Sequence, residues 1–336
     1  MSAIDLDKLF EQFASIRAGV IGDVMLDTYW WGHVDRISPE APVPVVALDK
    51  KEYRIGGAGN VALNLASLGA QVSVLSMIGQ DDDGTVLTRM FESNAIQTNY
   101  LIASDSRITT NKSRIICRNQ QMMRLDAEIT TDLSPEDENI LLQRVEHYLQ
   151  NESPRVMIFE DYNKGVLTKR VIREVIALCK KYDVITSVDP KRKNFFNYNG
   201  VDIFKPNLKE VKDGLNLLTD DISLSILEDI HKQLQDKLQH NISFITLSEK
   251  GVFYQQNGSS RLVPSHVRNI SDVSGAGDTV IAVASLLYAA TKDIDLMAEI
   301  ANIAGGIVCE EVGTVAIQKG LLLRECKQLL TEKLAN

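Results

Sequence analysis

Short apolar runs alternate with amphipathic stretches along most of this chain, and that alternation restricts the available folds more than any single motif. Residues 18–22, 72–78, 155–159, 184–188 and 242–247 have the length and apolar content of strands buried on both faces. Stretches of helical period, such as 135–149 and 169–181, stand between them. Strands that recur after helices pair in parallel, so the chain is expected to be α/β, with a mostly parallel sheet covered on both faces. Ligands of such sheets bind beyond the carboxyl ends of the strands, where Gly22-Asp23, Asp161, Asp189 and Ser248 fall.

Two glycine clusters sit at helix starts. Asp272-Val273-Ser274-Gly275-Ala276-Gly277-Asp278 puts a tight turn and a carboxylate ahead of the apolar run 279–290. A helix entered this way presents unpaired N–H groups and the positive end of its dipole, and glycines let a phosphoryl oxygen approach that backbone. Asp278 stands where it can take a proton from an attacking hydroxyl. Alone, the turn reads equally as a helix capped by Asp272 or Ser274. The second cluster, Gly56-Gly57-Ala58-Gly59-Asn60, opens the helical run 61–68, and two such turns suggest two ligands facing each other.

These turns resemble the two signatures of the ribokinase-like (PfkB) carbohydrate kinases, a paired-glycine helix start carrying an asparagine and a DTxGAGD turn near the C-terminus. Val273 and Ser274 replace the usual residues, while both glycines and both aspartates stand. The resemblance runs from about residue 20 to the end. It implies a three-layer α/β/α sandwich with a small β lid, and phosphoryl transfer from ATP with Mg²⁺ to a sugar hydroxyl. Asp278 would be the general base, and Gly275, Ala276 and Gly277 the cradle that stabilises charge on the transferring group.

Asn207 and Glu210, in Lys205-Pro206-Asn207-Leu208-Lys209-Glu210, match the family's NxxE motif, which holds Mg²⁺ largely through water; an N-cap with an early acidic residue is the alternative. Asp23 and Asp27, with Gly56, Gly57 and Asn60, would hold sugar hydroxyls, although either aspartate could instead cap a turn. Around ATP the resemblance places Asn207, Lys191, Ser248, Gly251, Gly275, Gly277 and Asn302. Asp272 and Ser274 lie where some relatives bind potassium, so a monovalent cation is a further candidate ion. Neither a GxxxxGK[ST] loop nor a GxGxxG fingerprint after the first strand is present.

Residues 28–55, with Trp30, Trp31 and prolines 39, 42 and 44, and residues 105–126 break the strand–helix rhythm. The resemblance makes them a lid over the sugar; an ordinary surface hairpin is the alternative. The apolar run 43–48 is too greasy for a small sheet with one face in water, so it is expected to pair with a second copy in a homodimer.

Three stretches, 36–45, 118–126 and 161–165, closely resemble the heptose 7-phosphate kinase branch of the family. That branch phosphorylates O1 of D-glycero-β-D-manno-heptose 7-phosphate to the 1,7-bisphosphate, toward ADP-heptose and the lipopolysaccharide core. A substrate with a distal phosphate needs cations on the sugar side, and Lys112, Arg114, Arg118, Arg124 and Lys164 are the candidates, with Arg118, Arg124 and Lys164 foremost. The alternatives are a kinase for another sugar or sugar phosphate, and a silent ligand-binding member of the fold. An HxGH motif is absent, so residues 1–336 are expected to form one kinase domain without a nucleotidyltransferase.

Charge and composition exclude other classes. Lys plus Arg minus Asp plus Glu is 36 − 45 = −9, and no basic block offers a path for nucleic acid. Cys117, Cys179, Cys309 and Cys326 are widely spaced without a CxxC pair, as in a cytoplasmic protein with reduced thiols. No apolar run reaches the roughly 18 residues of a membrane span, and charges interrupt residues 4–17 where a signal peptide would be apolar.

Overall fold

The computed structural model describes residues 5–118, 120–218, 222–266 and 268–335. The strands are β1 (Arg17–Gly22), β2 (Val24–Ile37), β3 (Pro44–Gly57), β4 (Gln71–Gly79), β5 (Ile96–Gln97), β6 (Leu101–Ser104), β7 (Asn111–Cys117), β8 (Gln120–Ala127), β9 (Val156–Glu160), β10 (Ile185–Asp189), β11 (Ile203–Phe204), β12 (Ile242–Thr246), β13 (Val252–Gln256) and β14 (Ser259–Val263). The helices are α1 (Leu6–Gln12), α2 (Ala58–Ser67), α3 (Asp82–Ser93), α4 (Pro135–Glu152), α5 (Lys169–Lys181), α6 (Leu208–Leu215), α7 (Leu224–Leu238), α8 (Ala276–Thr291), α9 (Ile294–Val308) and α10 (Lys319–Ala335).

The main sheet runs β14-β13-β12-β11-β10-β9-β1-β4-β5, with β6 also beside β4. From β12 to β5 every pairing is parallel, and the edge strands β13 and β14 join antiparallel, β13 to β12 and β14 to β13. Helices cover both faces, as the uniformly buried β9 and β10 require. One core gathers Phe10, Leu65, Phe91, Ile281 and Ile300, from α1, α2, α3, α8 and α9. The other gathers Leu141, Val145, Ile172 and Leu234, from α4, α5 and α7. No helix among the described residues is long and apolar enough to cross a membrane.

After β1 the chain moves to β4 on one side and later returns to β9 on the other, so the order reverses at the β1–β9 boundary. Such a switch point opens a crevice at the carboxyl ends of the strands. Asp23, Glu160 and Asp161 sit at its rim.

A second sheet, β3-β2-β7-β8, joins the two segments that break the rhythm. Its strands begin deeper than residue 28, because Val24, Met25 and Leu26 are buried in the body before β2 leaves it. Residues 105–110 are not strand; Thr109 instead bonds through its N–H to Asp81 Oδ2 at 2.8 Å. With 14 residues each, β2 and β3 span about 45 Å.

Each glycine cluster straddles a helix start: Gly56 and Gly57 end β3 and Gly275 precedes α8, while Gly59 and Gly277 lie in the first turns of α2 and α8. α2 begins at Ala58, where a Cβ on Gly59 would come within 2.5 Å of Ile55 and 2.9 Å of Phe91, so glycine there serves close packing. Asn64 on α2 ties the layer together: its Oδ1 accepts from Thr279 Oγ1 at 3.1 Å and from the Ile317 N–H at 2.9 Å. Replacing Asn64 with Leu strands two buried donors, and urea denaturation should show a loss of about 2–4 kcal/mol with the transition still cooperative.

Candidate functional site

Gly275 adopts the left-handed backbone (φ 78°) that turns the chain into α8, and a Cβ there would lie 2.9 Å from Asn60 Nδ2. A Cβ on Gly277 would stand 3.5 Å from Asp189 Oδ2 and 3.7 Å from Lys205 Nζ, ordinary contacts, so the packing here does not itself require the second glycine. Asp278 follows in the first turn of α8, 5% exposed. Its Oδ2 accepts from Asn60 Nδ2 at 2.8 Å and its Oδ1 from the Tyr162 hydroxyl at 2.9 Å. Burial pushes its carboxyl up to about 6, aided by the charge of Asp189 and opposed by Asn60, Tyr162 and Lys191. A carboxylate with that affinity can accept a proton from an alcohol that is losing it and release it near neutral pH.

Asn60 belongs to the facing helix start. Gly57 is left-handed (φ 59°), and a Cβ there would press within 2.4 Å of the Asp23 carbonyl, while one on Gly56 would meet Asp27 Oδ2 at 2.4 Å. The paired glycines therefore let β3 pass close to both aspartates. Asp27 is buried at the root of the lid and accepts from Arg114 Nη1 at 2.6 Å.

Asp23 departs from the sequence expectation. Expected to hold sugar hydroxyls, it accepts instead from the N–H groups of Tyr162 (2.9 Å), Lys164 (3.0 Å) and Val166 (3.1 Å). With 1% exposure its carboxyl is a structural tie that shapes the 162–166 loop, the turn-capping alternative.

Beneath Asp278 lie carboxylates that sequence reasoning did not bring together. Oxygens of Glu160, Asp189 and Asp278 come within 4.8 Å of one another, all buried. Glu160 and Asp189 are register partners on adjacent strands, which places them side by side. Both Glu160 oxygens are buried without a hydrogen-bond partner, and burial next to Asp189 and Asp278 holds its carboxyl far above the usual range. Burial would also raise Asp189, but Lys191 and Lys205 outweigh it and hold Asp189 ionised. Lys205, 2% exposed and 2.7 Å from Asp189, was not anticipated. A strand-end Asp and a Lys-Pro were visible in the chain, but not their meeting.

Asn207 and Glu210 form a reciprocal capping box at α6: Asn207 Oδ1 accepts from the Glu210 N–H and Glu210 Oε2 from the Asn207 N–H, each at 2.8 Å. The other Glu210 oxygen meets Lys191 Nζ at 2.8 Å, and Lys191 also bonds Asp189. Both named metal ligands therefore sit beside the cluster with one or more oxygens committed to protein donors. Across the loop, Ser248 and Gly251 are left-handed (φ 55° and 95°), and Gly251 abuts the Val263 carbonyl. Asn302 donates to the Pro264 carbonyl at 2.8 Å, so Gly251 and Asn302 converge on the 263–264 backbone. Asp272 accepts from Ser274 and from the Gly313 N–H, and so pins the turn ahead of Gly275.

The lid cations divide. Arg124 pairs with Asp126 and lies opposite Arg114 in register, on the face that carries Asp27 and Lys112. Lys164 is held by Glu128 at 2.7 Å. Arg118 is an exposed turn residue with φ 48° at the far end of β7, about 20 Å along the strand from Lys112, and on its own chain it does not reach the Asp278 region. Lys112 does: its ammonium lies 5.6 Å from the Tyr162 ring centre, half-buried and without a carboxylate partner among the described residues. Burial, and then Lys164, lower its proton affinity.

The sequence pattern of pfkB family carbohydrate kinases matches residues 17–319. Among curated relatives, the bifunctional protein HldE of Geobacter sulfurreducens is 38% identical over 94% of this chain, and that of Campylobacter curvus 35% identical over 94%. The chain spans 64% and 65% of the length of those two relatives. In three dimensions it resembles Arabidopsis thaliana ribokinase complexed with ribose and ATP, with TM-score 0.73, 15% identity, and 93% and 99% of the two chains covered. Escherichia coli phosphofructokinase-2 in complex with substrates and products gives TM-score 0.76, 16% identity, and 94% and 99%. These likenesses establish a ribokinase-like fold, and with the match across residues 17–319 the chain belongs to the pfkB family of carbohydrate kinases.

Proposed function

We propose that this sugar kinase transfers the γ-phosphoryl group of ATP to O1 of D-glycero-β-D-manno-heptose 7-phosphate, forming the 1,7-bisphosphate on the route to ADP-heptose. The carrying observation is a buried Asp278 at a glycine-bounded helix start, facing a lid whose inner face carries Lys112, Arg114 and Arg124. Asp278 accepts the proton of the attacking hydroxyl, and the N–H groups at the head of α8 face the developing charge. The stretches resembling heptose 7-phosphate kinases, together with the similarity to the bifunctional protein HldE, are what support this choice of sugar.

Mg²⁺ fits as a water-mediated partner of Glu210, whose side chain is 14% exposed and already oriented by Asn207 and Lys191. When bound, the ion neutralises charge on the phosphates. ATP would lie over Ser248, Gly251, Gly277 and Asn302, with Lys191 at its phosphates. A monovalent cation would bind near the Asp272 turn. Asp27, Asn60 and the lid cations hold the sugar phosphate, and the reaction belongs in the cytoplasm.

A coupled assay with heptose 7-phosphate against fructose 6-phosphate decides the substrate, and preference for fructose 6-phosphate would overturn the choice. Asp278→Asn should lower turnover by at least about 10²-fold with ATP affinity nearly unchanged. For the parent enzyme kcat/KM should fall as the pH drops through about 6, because the base loses activity on protonation. A flat profile from pH 5 to 8 would remove Asp278 from the role.

Truncating Lys112 to Met should weaken heptose 7-phosphate about tenfold more than its unphosphorylated analogue, through loss of a charge-assisted contact. Arg118→Ala should leave both unchanged in a single chain, so an equal or larger effect there would place the phosphate at the lid tip. The lid also exposes Val43, Leu48, Met123 and Leu125, each more than half accessible, which supports a homodimer through this sheet. Light scattering should then give twice the 37.3 kDa chain mass, and Val45→Glu should return it to one.

A further inference from the structure

Tyr162 is the one contact of Asp278 that the catalytic reading leaves without a task. Its hydroxyl donates to Asp278 Oδ1 at 2.9 Å, and its own N–H is anchored by Asp23 Oδ2 at 2.9 Å. Two ammonium groups lie near its ring, Lys112 of the lid at 5.6 Å and Lys191 of the body at 5.5 Å. Cations against the π-system withdraw electron density and make the phenol a stronger donor. Asn60 occupies the other carboxylate oxygen, at 2.8 Å.

We propose that Tyr162 positions the general base: with Asn60 it fixes the rotation of the Asp278 carboxylate and leaves one lone pair on each oxygen for the sugar hydroxyl. A carboxylate has about four acceptor sites, of which these two donors use two. Without the phenol, Oδ1 is free to swing toward Asp189 or Glu160, and the base points away from the helix-start cradle. The hydroxyl also stabilises the ionised form, so its loss raises the proton affinity of Asp278. The groups facing Asp278 are Asn60 from α2, Glu160 at the end of β9, Asp189 at the end of β10, Lys191 and Lys205 beyond it, and Tyr162 itself. Among them only Asn60 and Tyr162 donate directly to the carboxylate among the described residues.

The inference rests on Asp278 being the base, and the test reads that carboxyl without needing substrate. In protein labelled with ¹³C at the aspartate carboxyls, the Asp278 signal is the one missing from Asp278→Asn. Its titration midpoint, about 6 in the parent, should rise by about one pH unit in Tyr162→Phe. 3-Fluorotyrosine at position 162, a more acidic donor, should lower it, and this arm holds even if the phenylalanine variant folds poorly.

With ATP and heptose 7-phosphate, Tyr162→Phe should lower plateau kcat about tenfold at high pH while the sugar KM stays within about threefold. An unmoved midpoint, or a plateau kcat equal to the parent's, overturns the positioning role. A midpoint that moves in a protein that does not turn over this sugar supports the contact and removes the substrate assignment instead.

Discussion

One hydrogen bond joins the two halves of the site: Asn60 at the head of α2 to Asp278 at the head of α8, 218 residues later. Neither helix start is free to shift without breaking it. Gly275 packs against the same Asn60 amide, so the left-handed entry of α8 is adjusted to a side chain on the opposite helix. The Asn64–Thr279 bond one turn further along repeats the joint inside the core. The glycine clusters are therefore as much about close approach between two helices as about making room for a phosphate.

Electrostatics sorts the buried acids into different tasks. Glu160, unpartnered beside two carboxylates, has its proton affinity raised well above the ordinary carboxylate range. Asp189 faces two ammonium groups and remains charged. Asp278, with two neutral donors and no direct cation, lies between these extremes. Gathering carboxylates in a low-dielectric pocket raises their proton affinity, and Lys191 and Lys205 offset that for Asp189.

The lid shares this arrangement through its roots. β2 starts as core and ends as free sheet, so Asp27 is buried while Ile37 is largely exposed. Arg54 bonds the Val312 and Thr314 carbonyls, Arg114 bonds Asp27, and Lys112 reaches Tyr162. The lid root thus touches both the Tyr162 loop and the 312–314 segment that follows α9. Its tip, with Arg118, stands clear of these contacts.

Local features of the chain carried the fold: buried strands, helices and two glycine turns are set by side-chain period and backbone stereochemistry within a few residues. That is why the β9 and β10 positions, α5 and the start of α8 were legible to within three residues, and why Asp278 could be placed at the head of α8. Contacts between distant segments were not. Asp23 and Glu160 are both acidic strand-end residues, and only the β1–β9 register decides that one ties a loop while the other stands against Asp189. Tyr162 lies in a stretch that the resemblance marks, but nothing local joins it to Asp278 or Lys205 to Asp189, and Arg118 sits at a turn far along β7 from Lys112. The sequence alone settled which elements form and where their carboxyl ends lie; strand order and register, which depend on packing across the whole sheet, decided which charges meet there.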